Sequence, residues 1–335
     1  MESNRNRLIA LLEENKDQYI SGQKLSEQLN ISRSAIWKHM KELEKDGYEI
    51  EGKSRKGYRI ISFPDKLSEN TLQWGLKTKW LGKTIIHRES IDSTQFLAHQ
   101  TARDGAAHGT VIIADEQTKG KGRMNREWYS SPGKGIWLSM ILRPQLLPYL
   151  AAQLTLLTAT VLADVVNDHI GVRPQIKWPN DILLNGKKTA GILTEMQAEQ
   201  DQIQYVVIGM GINVNQEEME LPENISYKAT SIRAESGKEW DIKELIQQIL
   251  QTFEQAYESY IGNGFPEVKA KWESYGFKIG EMIDIKTMKD EWRSKFLGIA
   301  EDGALLATDR SGSETKLYSA EIKWFEDGNQ HAEEK

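Results

Sequence analysis

Gln117-Thr118-Lys119-Gly120-Lys121-Gly122-Arg123-Met124-Asn125-Arg126-Glu127-Trp128 is the densest run of chemistry in the chain. Two glycines alternate with lysines and an arginine, so backbone N–H groups can approach an anion closely while the side chains neutralise it. The run is a phosphate or carboxylate loop by composition. Neither GxxxxGK[ST] nor GxGxxG occurs in it, so it is neither a Walker loop nor a dinucleotide fingerprint. Alone, a basic glycine-rich stretch is as readily a solvated turn, and its neighbours have to decide between the two.

Three neighbours do so. Ile91-Asp92-Ser93-Thr94-Gln95 reads by itself as a helix N-cap. Lys177-Trp178-Pro179-Asn180-Asp181 sets a lysine just ahead of a proline that restricts the backbone, and a cation fixed in this way suits electrostatic catalysis. Ile208-Gly209-Met210-Gly211-Ile212-Asn213-Val214-Asn215 offers paired glycines that would let a flat ligand approach the end of a strand. From about 84 to 215, strand-like runs at 110–114, 135–142, 182–184 and 206–214 alternate with helical ones at 94–102 and 150–168, which is a mixed α/β pattern. Residues 144–163 carry no charge, but Pro144, Gln145, Pro148 and Gln153 interrupt them, and Leu150, Leu154, Leu157 and Val161 repeat at helical spacing. That is a buried core helix rather than a membrane span. Helical spacing returns at 242–261 through Leu245, Ile249 and Phe253.

The two ends have different periods. Residues 4–15, 23–29 and 33–46 read as three helices, and the short turn Asn30-Ile31-Ser32 makes the second and third a helix-turn-helix with Ser32 as N-cap. Ile36, Met40 and Leu43 bury together, leaving Arg33, Ser34, Trp37, Lys38 and Lys41 on the opposite face. Residues 48–51 and 58–61 are strands around Gly52-Lys53-Ser54-Arg55-Lys56-Gly57, a basic wing. Between 32 and 59 stand eight Lys/Arg against five Asp/Glu, a local positive excess in a chain of net charge −6. The helix start and the wing tip, with Arg55 and Lys56, supply the phosphate-binding term of DNA recognition. Residues 282–286, 292–299, 304–307 and 315–318 are short strands separated by turn residues and are expected to form a small β-barrel. The polar residues 326–335 are expected to be a frayed tail.

Composition bounds these readings. A length of 335 residues exceeds what one core usually supports, so two or three domains are expected. The absence of cysteine excludes disulfides, thiolate metal sites and a cysteine nucleophile. No protein-held metal is expected. The polar start Met1-Glu2-Ser3-Asn4-Arg5 lacks the apolar region of a signal peptide, so a cytoplasmic protein is expected, with no membrane partner.

Taken together and in order, these four central elements resemble the biotin protein ligases: the Asp-Ser-Thr segment, the GRGRxGRxW loop, the KWPND motif and the GxGxNxN strand. With the helix-turn-helix in front, the chain is similar over residues 5–325 to the bacterial ligases that double as biotin operon repressors. The resemblance implies an α+β multidomain fold: a winged helix-turn-helix over 1–63, a mixed α/β biotin ligase catalytic domain over 64–275, and an SH3-like β-barrel over 276–325. It implies that biotin and ATP form biotinyl-5′-AMP, and that biotin then passes to a lysine of biotin carboxyl carrier protein. The adenylate-bound homodimer would repress biotin genes at operator DNA. Mg²⁺ would arrive with ATP.

Carried over by position, Ser93, Thr94, Gln95 and Gln117 would hold the biotin ring. Lys121, Gly122 and Arg123 would close over biotin and the α-phosphate, Lys177 would reach the acyl-phosphate oxygens, and Gly120 and Asn213 would lie at the nucleotide. Arg123, Arg126 and Lys177 are the expected electrostatic stabilisers, with Asp181 to take or orient the proton of the acceptor lysine. Ser32, Arg33, Ser34, Trp37, Lys38, Lys41, Arg55 and Lys56 would meet DNA. Two positions depart from the family pattern. Lys121 replaces the usual Arg and loses its bidentate fork. Met124-Asn125 replaces Arg-Gly, and Asn125 is expected to tolerate the left-handed backbone there. A lipoate ligase is the alternative within the same chemistry, against which the GKGR loop and the DNA-binding front both argue. A repressor without catalysis, or a ligase whose front domain only assembles, are the alternatives from other classes.

Overall fold

The computed structural model describes residues 4–15, 17–62, 64, 66–287 and 290–324. The expected tail, 326–335, lies outside them, as do Phe63 and Asp65. The front of the chain is α1 (Asn4–Glu14), α2 (Gly22–Leu29), α3 (Arg33–Lys45) and a hairpin of β1 (Glu49–Lys53) and β2 (Gly57–Ser62). The turn between α2 and α3 follows from its residues. Asn30 takes left-handed φ of 54° to end α2, and the Ser32 hydroxyl accepts from the Ala35 N–H at 3.2 Å to start α3. Leu8, Leu12, Leu25, Leu29, Ile36, Met40, Leu43 and Ile60 bury together as a core of their own.

The middle is a seven-stranded sheet ordered β3-β4-β5-β9-β8-β7-β6. After α4 (Glu69–Gln73), β3 (Ile85–Ile91), α5 (Thr94–Arg103) and β4 (Thr110–Gln117) form a β-α-β unit with parallel strands. The remaining neighbours, β5 (Gly135–Leu142), β6 (Gln175–Lys177), β7 (Asp181–Leu184), β8 (Lys187–Glu199) and β9 (Gln202–Asn213), pair antiparallel. α5 covers one face, where Ala98 and Ala102 meet Ile112, Ile141 and Val207. The other face is covered by α6 (Ala151–Ile170), α9 (Ile242–Asn263) and α10 (Pro266–Tyr275), with the short α7 (Glu223–Ser226) and α8 (Ile232–Ser236) following β9. The segment Pro148–Ile170 is long and apolar enough to cross a membrane, yet 72% of its apolar window is buried inside the protein. It is the core helix that its leucine spacing predicts.

The last strands, β10 (Met282–Lys286), β11 (Glu291–Ile299), β12 (Leu305–Thr308), β13 (Glu314–Leu317) and β14 (Glu321–Lys323), form an antiparallel sheet ordered β13-β12-β11-β10-β14. Among the described residues no pairing joins the two short edge strands, so a closed barrel is not what the strand ladder forms. The ladder breaks register between Phe296 and Gly298, where β11 passes from β10 to β12. This sheet has no separate core: Ile283, Ile285, Phe296, Ile299 and Leu305 bury in the same cluster as α6 and α9.

One buried carboxylate fixes the entry to the central sheet. Glu254 of α9, 5% exposed, accepts from the backbone N–H groups of Lys79 at 2.6 Å, Trp80 at 2.8 Å and Leu81 at 2.8 Å. Glu254→Ala leaves three donors facing a cavity, and a cost of about 3 kcal/mol is expected. Urea unfolding followed at the central domain should show a lowered midpoint for Glu254→Ala and a smaller loss for Glu254→Gln, which keeps one acceptor oxygen.

Candidate active site and nucleic-acid interface

On the α5 face of the sheet lies a cleft of about 1230 Å³. Its floor is made by missing side chains. Gly191 of β8 pairs with Gly211 of β9, and Gly209 pairs with both Leu193 and Ser139. The Trp128 indole lies on this floor: a Cβ on Gly211 would stand 2.5 Å from its Nε1, and one on Gly191 2.9 Å from its ring. The Trp128 indole thus lies against the paired glycines, close to the end of β9 at Asn213. Lys188 Nζ stands 5.1 Å from the same ring. Trp128 Nε1 is buried with no hydrogen-bond partner.

The basic loop arches from this anchor. The Trp128 N–H donates to Gly120 O at 2.9 Å, and the Gly122 N–H to Arg126 O at 2.8 Å. Gly120 packs so tightly under Trp128 O that a Cβ would stand 2.4 Å away, and it does not reach the cleft wall. That close packing is what requires glycine at this position. The left-handed residue of the loop is Met124, at φ 56°, rather than Asn125. At the start of the loop Asp92 accepts from Thr118 Oγ1 and Lys119 Nζ, both at 2.9 Å. Lys119 foremost, then Thr118, holds the Asp92 carboxyl below its ordinary range.

At the start of α5 the structure brings Ser93, Thr94, Gln95 and Gln117 together on the cleft wall. Gln117 Oε1 accepts from the Thr94 N–H at 2.8 Å, and its Nε2 donates to Ser130 Oγ at 3.0 Å. Gln95 Oε1 accepts from Ser139 Oγ at 3.1 Å, and its Nε2 donates to Glu195 at 2.9 Å. Ser93 occupies the N-cap position but makes no capping hydrogen bond. Its hydroxyl is buried without a partner in a residue 2% exposed. The cap reading of this segment fails at that atom, which is left to the cleft.

Across the cleft, Lys177, Asn180 and Asp181 come from β6, β7 and the turn between them, where the Trp178–Pro179 peptide is cis. Asp181 pairs with Lys177 at 3.4 Å and with Lys188 at 2.6 Å. Arg123 reaches over the cleft to Asn180 Oδ1 at 3.3 Å. Arg123 is exposed as a residue, yet withdrawal of its guanidinium from water lowers its pKa, with Asp181 opposing and Arg126 adding. Lys121, Gly122 and Arg126 also line the cleft. Asn213 lines it too, but its amide is occupied: Nδ2 donates to Thr230 O at 3.0 Å and Oδ1 accepts from Gln216 at 3.4 Å. The sequence reading passed over Ser139, Lys188, Gly191 and the role of Trp128. It also passed over the far wall, where Lys286, Thr287 and Glu321 of the last sheet face the cleft. Lys188 and Gly191 lie in the first half of β8, Lys187–Leu193, where paired lysines and a glycine give little strand signal.

The second interface is α3 with its wing. Ser32, Arg33, Ser34, Trp37, Lys38 and Lys41 are all exposed, and Ser32 Oγ lies 2.9 Å from Ser34 Oγ. Lys41 is paired with Glu44, and Lys53 and Arg59 with Glu51. Arg33, Lys38, Arg55 and Lys56 have no ion-pair partner among the described residues. Lys53 and Arg59 also lie over the Tyr19 ring, each 5.1 Å from its centre, so the wing is braced against the front of the helices. Arg55 sits at the wing tip with φ of 63°.

Comparison with known proteins matches the two regions that carry these residues to known families. Residues 4–59 match the HTH domain family, and residues 88–213 match the biotin/lipoate A/B protein ligase family. The bifunctional ligase/repressor BirA of Bacillus subtilis is 46% identical over 94% of this chain and 97% of its own length. The BirA of Escherichia coli is 30% identical over the same shares. Among solved structures, the biotin protein ligase from Aquifex aeolicus in complex with biotin and ATP is 29% identical, with a TM-score of 0.62, over 72% of this chain and 99% of that one. Identity at that level from one end to the other means that the chain belongs to the bifunctional ligase/repressor family of the BirA proteins.

Proposed function

We propose that the chain activates biotin with ATP, transfers it to a lysine of biotin carboxyl carrier protein, and as an adenylate-loaded dimer represses biotin genes. The observation that carries the ligase reading is the cleft itself. It joins a polar, hydrogen-bonding end at Ser93, Thr94, Gln95 and Gln117 to a cationic end at Arg123, Arg126, Lys177 and Lys188. A ligand with a cyclic urea at one end and a carboxylate at the other matches that polarity.

In the first step a biotin carboxylate oxygen bonds to the α-phosphorus of ATP, and the bond to the β-phosphate oxygen breaks to release pyrophosphate. In the second, the carrier lysine nitrogen bonds to the acyl carbon, the bond to AMP breaks, and the amine loses a proton. Negative charge grows on phosphate oxygens in both steps, and Arg123, Arg126 and Lys177 stabilise it. Asp181, held by two lysines, serves to orient them and the incoming amine. Among the described residues no group of three His, Asp or Glu could hold a metal ion. Mg²⁺ would arrive with the triphosphate as its counter-ion and would withdraw charge from the phosphates. The Trp128 face and the loop tip would cover the nucleotide and shield the anhydride from water.

The same reading divides the chain at 63 and 275, makes the last strands an SH3-like domain, and places the protein in the cytoplasm. A single α3 with its wing makes few contacts, so two copies are needed for specific binding at physiological salt. A ligand that orders the loops beside a dimer surface shifts the population towards the DNA-binding form.

Lys177→Ala and Arg123→Ala should each lower adenylate formation at least tenfold while leaving the melt unchanged, measured as pyrophosphate release. Wild-type release in both variants would defeat the ligase assignment. Biotinyl-5′-AMP should tighten operator binding tenfold or more in step with dimerisation, and excess carrier should reverse it. Operator titration alongside sedimentation, with and without adenylate, checks both. Lys38→Ala and Arg55→Ala should weaken DNA binding without affecting carrier biotinylation, scored by carrier mass.

A further inference from the structure

We infer that Trp37 is a base-reading side chain that recognises thymine in the major groove, an assignment that rests on the DNA-binding reading of α3. Trp37 is 57% exposed on a helix whose other large apolar residues, Ile36, Met40 and Leu43, are 0–1% exposed. Packing has no use for an indole in that place. The helix has thirteen residues, about 20 Å of rod, and Trp37 is its fifth, in the half of a recognition helix that meets base edges.

Its surroundings specify the ligand. Arg33 stands one turn before it and Lys38 directly after it, both exposed and without an ion-pair partner among the described residues. From Ser32 to Lys41 there is no acidic residue. Of the first acids beyond, Glu44 is paired with Lys41, and Glu42 Oε2 lies 3.4 Å from the His39 imidazole. The wing adds Arg55 and Lys56 on exposed backbone. The surface is thus an apolar plate between cations, which complements phosphates flanking a groove with an apolar feature between them.

In the major groove thymine alone presents a methyl group, and it does so beside the O4 acceptor. An indole has an apolar edge and one N–H donor and no acceptor, so it can satisfy both features of thymine. Cytosine offers a donor, which the indole cannot accept. Guanine offers two acceptors and no methyl, which would strand the apolar edge against polar groups. The cations fix position without reading sequence, and Trp37 supplies the choice that they lack.

The probe is a duplex selected by the full chain from a random pool in the presence of biotin and ATP, and then remade with uracil at each thymine in turn. Uracil keeps O4 and the base pair and removes only the methyl. For the wild-type chain, at least one position per half-site should lose about fourfold in affinity, the effect expected of one buried carbon. Trp37→Ala should bind the parent duplex more weakly and lose the discrimination at that position, while Trp37→Phe should retain part of it. Lys38→Ala should weaken binding yet keep the thymine preference, which separates base reading from phosphate contact. Uracil tolerated everywhere by the wild type, or a preference that survives in Trp37→Ala, would overturn the inference and leave the DNA-binding reading standing. Failure to select any duplex would overturn both.

Discussion

Contact between the Trp128 indole and the bare backbone of Gly191 and Gly211 is the constraint on which the cleft depends. An aromatic ring can lie flat on a sheet only where the strands beneath carry no Cβ. The two glycines face each other across β8 and β9, and any side chain on either would displace the ring. With Trp128 seated, its N–H closes on Gly120 O, and both ends of the basic loop are tied to the sheet. Lys121 to Glu127 are then the part of the loop free to extend over the cleft. The third glycine of the floor, Gly209, serves differently: a Cβ there would stand 2.5 Å from Gln95 Oε1, so it makes room for the polar end.

Electrostatic order follows from that geometry. Lys177, Lys188, Arg123 and Arg126 converge on one cleft of a chain that is acidic overall. Unrelieved, such cations repel one another, and Asp181 relieves part of that by pairing with two of them. The carboxylate is only 13% exposed, so the pairs are shielded more than surface pairs would be. In the proposed reaction, cations fixed in advance would need little reorganisation as phosphate charge develops. Asp181, expected from the sequence to take or orient the acceptor proton, carries one lysine ammonium on each carboxylate oxygen.

Much of this was legible in the order of residues. The turn between α2 and α3 shows in Asn30 and Ser32 because a left-handed stop and a hydroxyl cap are local chemistry. The core helix shows in its leucine spacing for the same reason. β8, β3 and α10 do not show, because their burial is decided by distant partners: Trp272 of α10 is fully buried in a core shared with α6, α9 and the central and last sheets. The packing of Gly120 under Trp128 O and the hydrogen bonds of Asn213 to Gln216 and Thr230 do not show on the same ground, since each is set by how the chain returns on itself. The Ser93 cap failed in the opposite sense: a residue with every local reason to cap leaves its hydroxyl unused beside the cleft.

The two halves of the molecule meet in a joint rather than a free tether. Trp74, just past α4, packs against the core of the front domain while Lys243 of α9 lies 5.7 Å from its ring centre. Gln247 of α9 donates to the carbonyls of Leu72 and Trp74. From the other side, Asn70 of α4 donates to Asp46 at 3.1 Å, and Asp46 also holds Arg5 of α1. Helix α4 is thereby fastened to α9 behind it and to α1 and the end of α3 in front. Two paired heads can engage neighbouring half-sites only if their recognition helices lie about 34 Å apart, or a multiple of that. A slack tether would let that spacing wander, and the entropy of fixing it would fall on DNA binding. With the joint packed, the spacing in the proposed dimer would be set by how two central domains associate, and a ligand that changed that association would be felt by the DNA with no rearrangement inside the head itself.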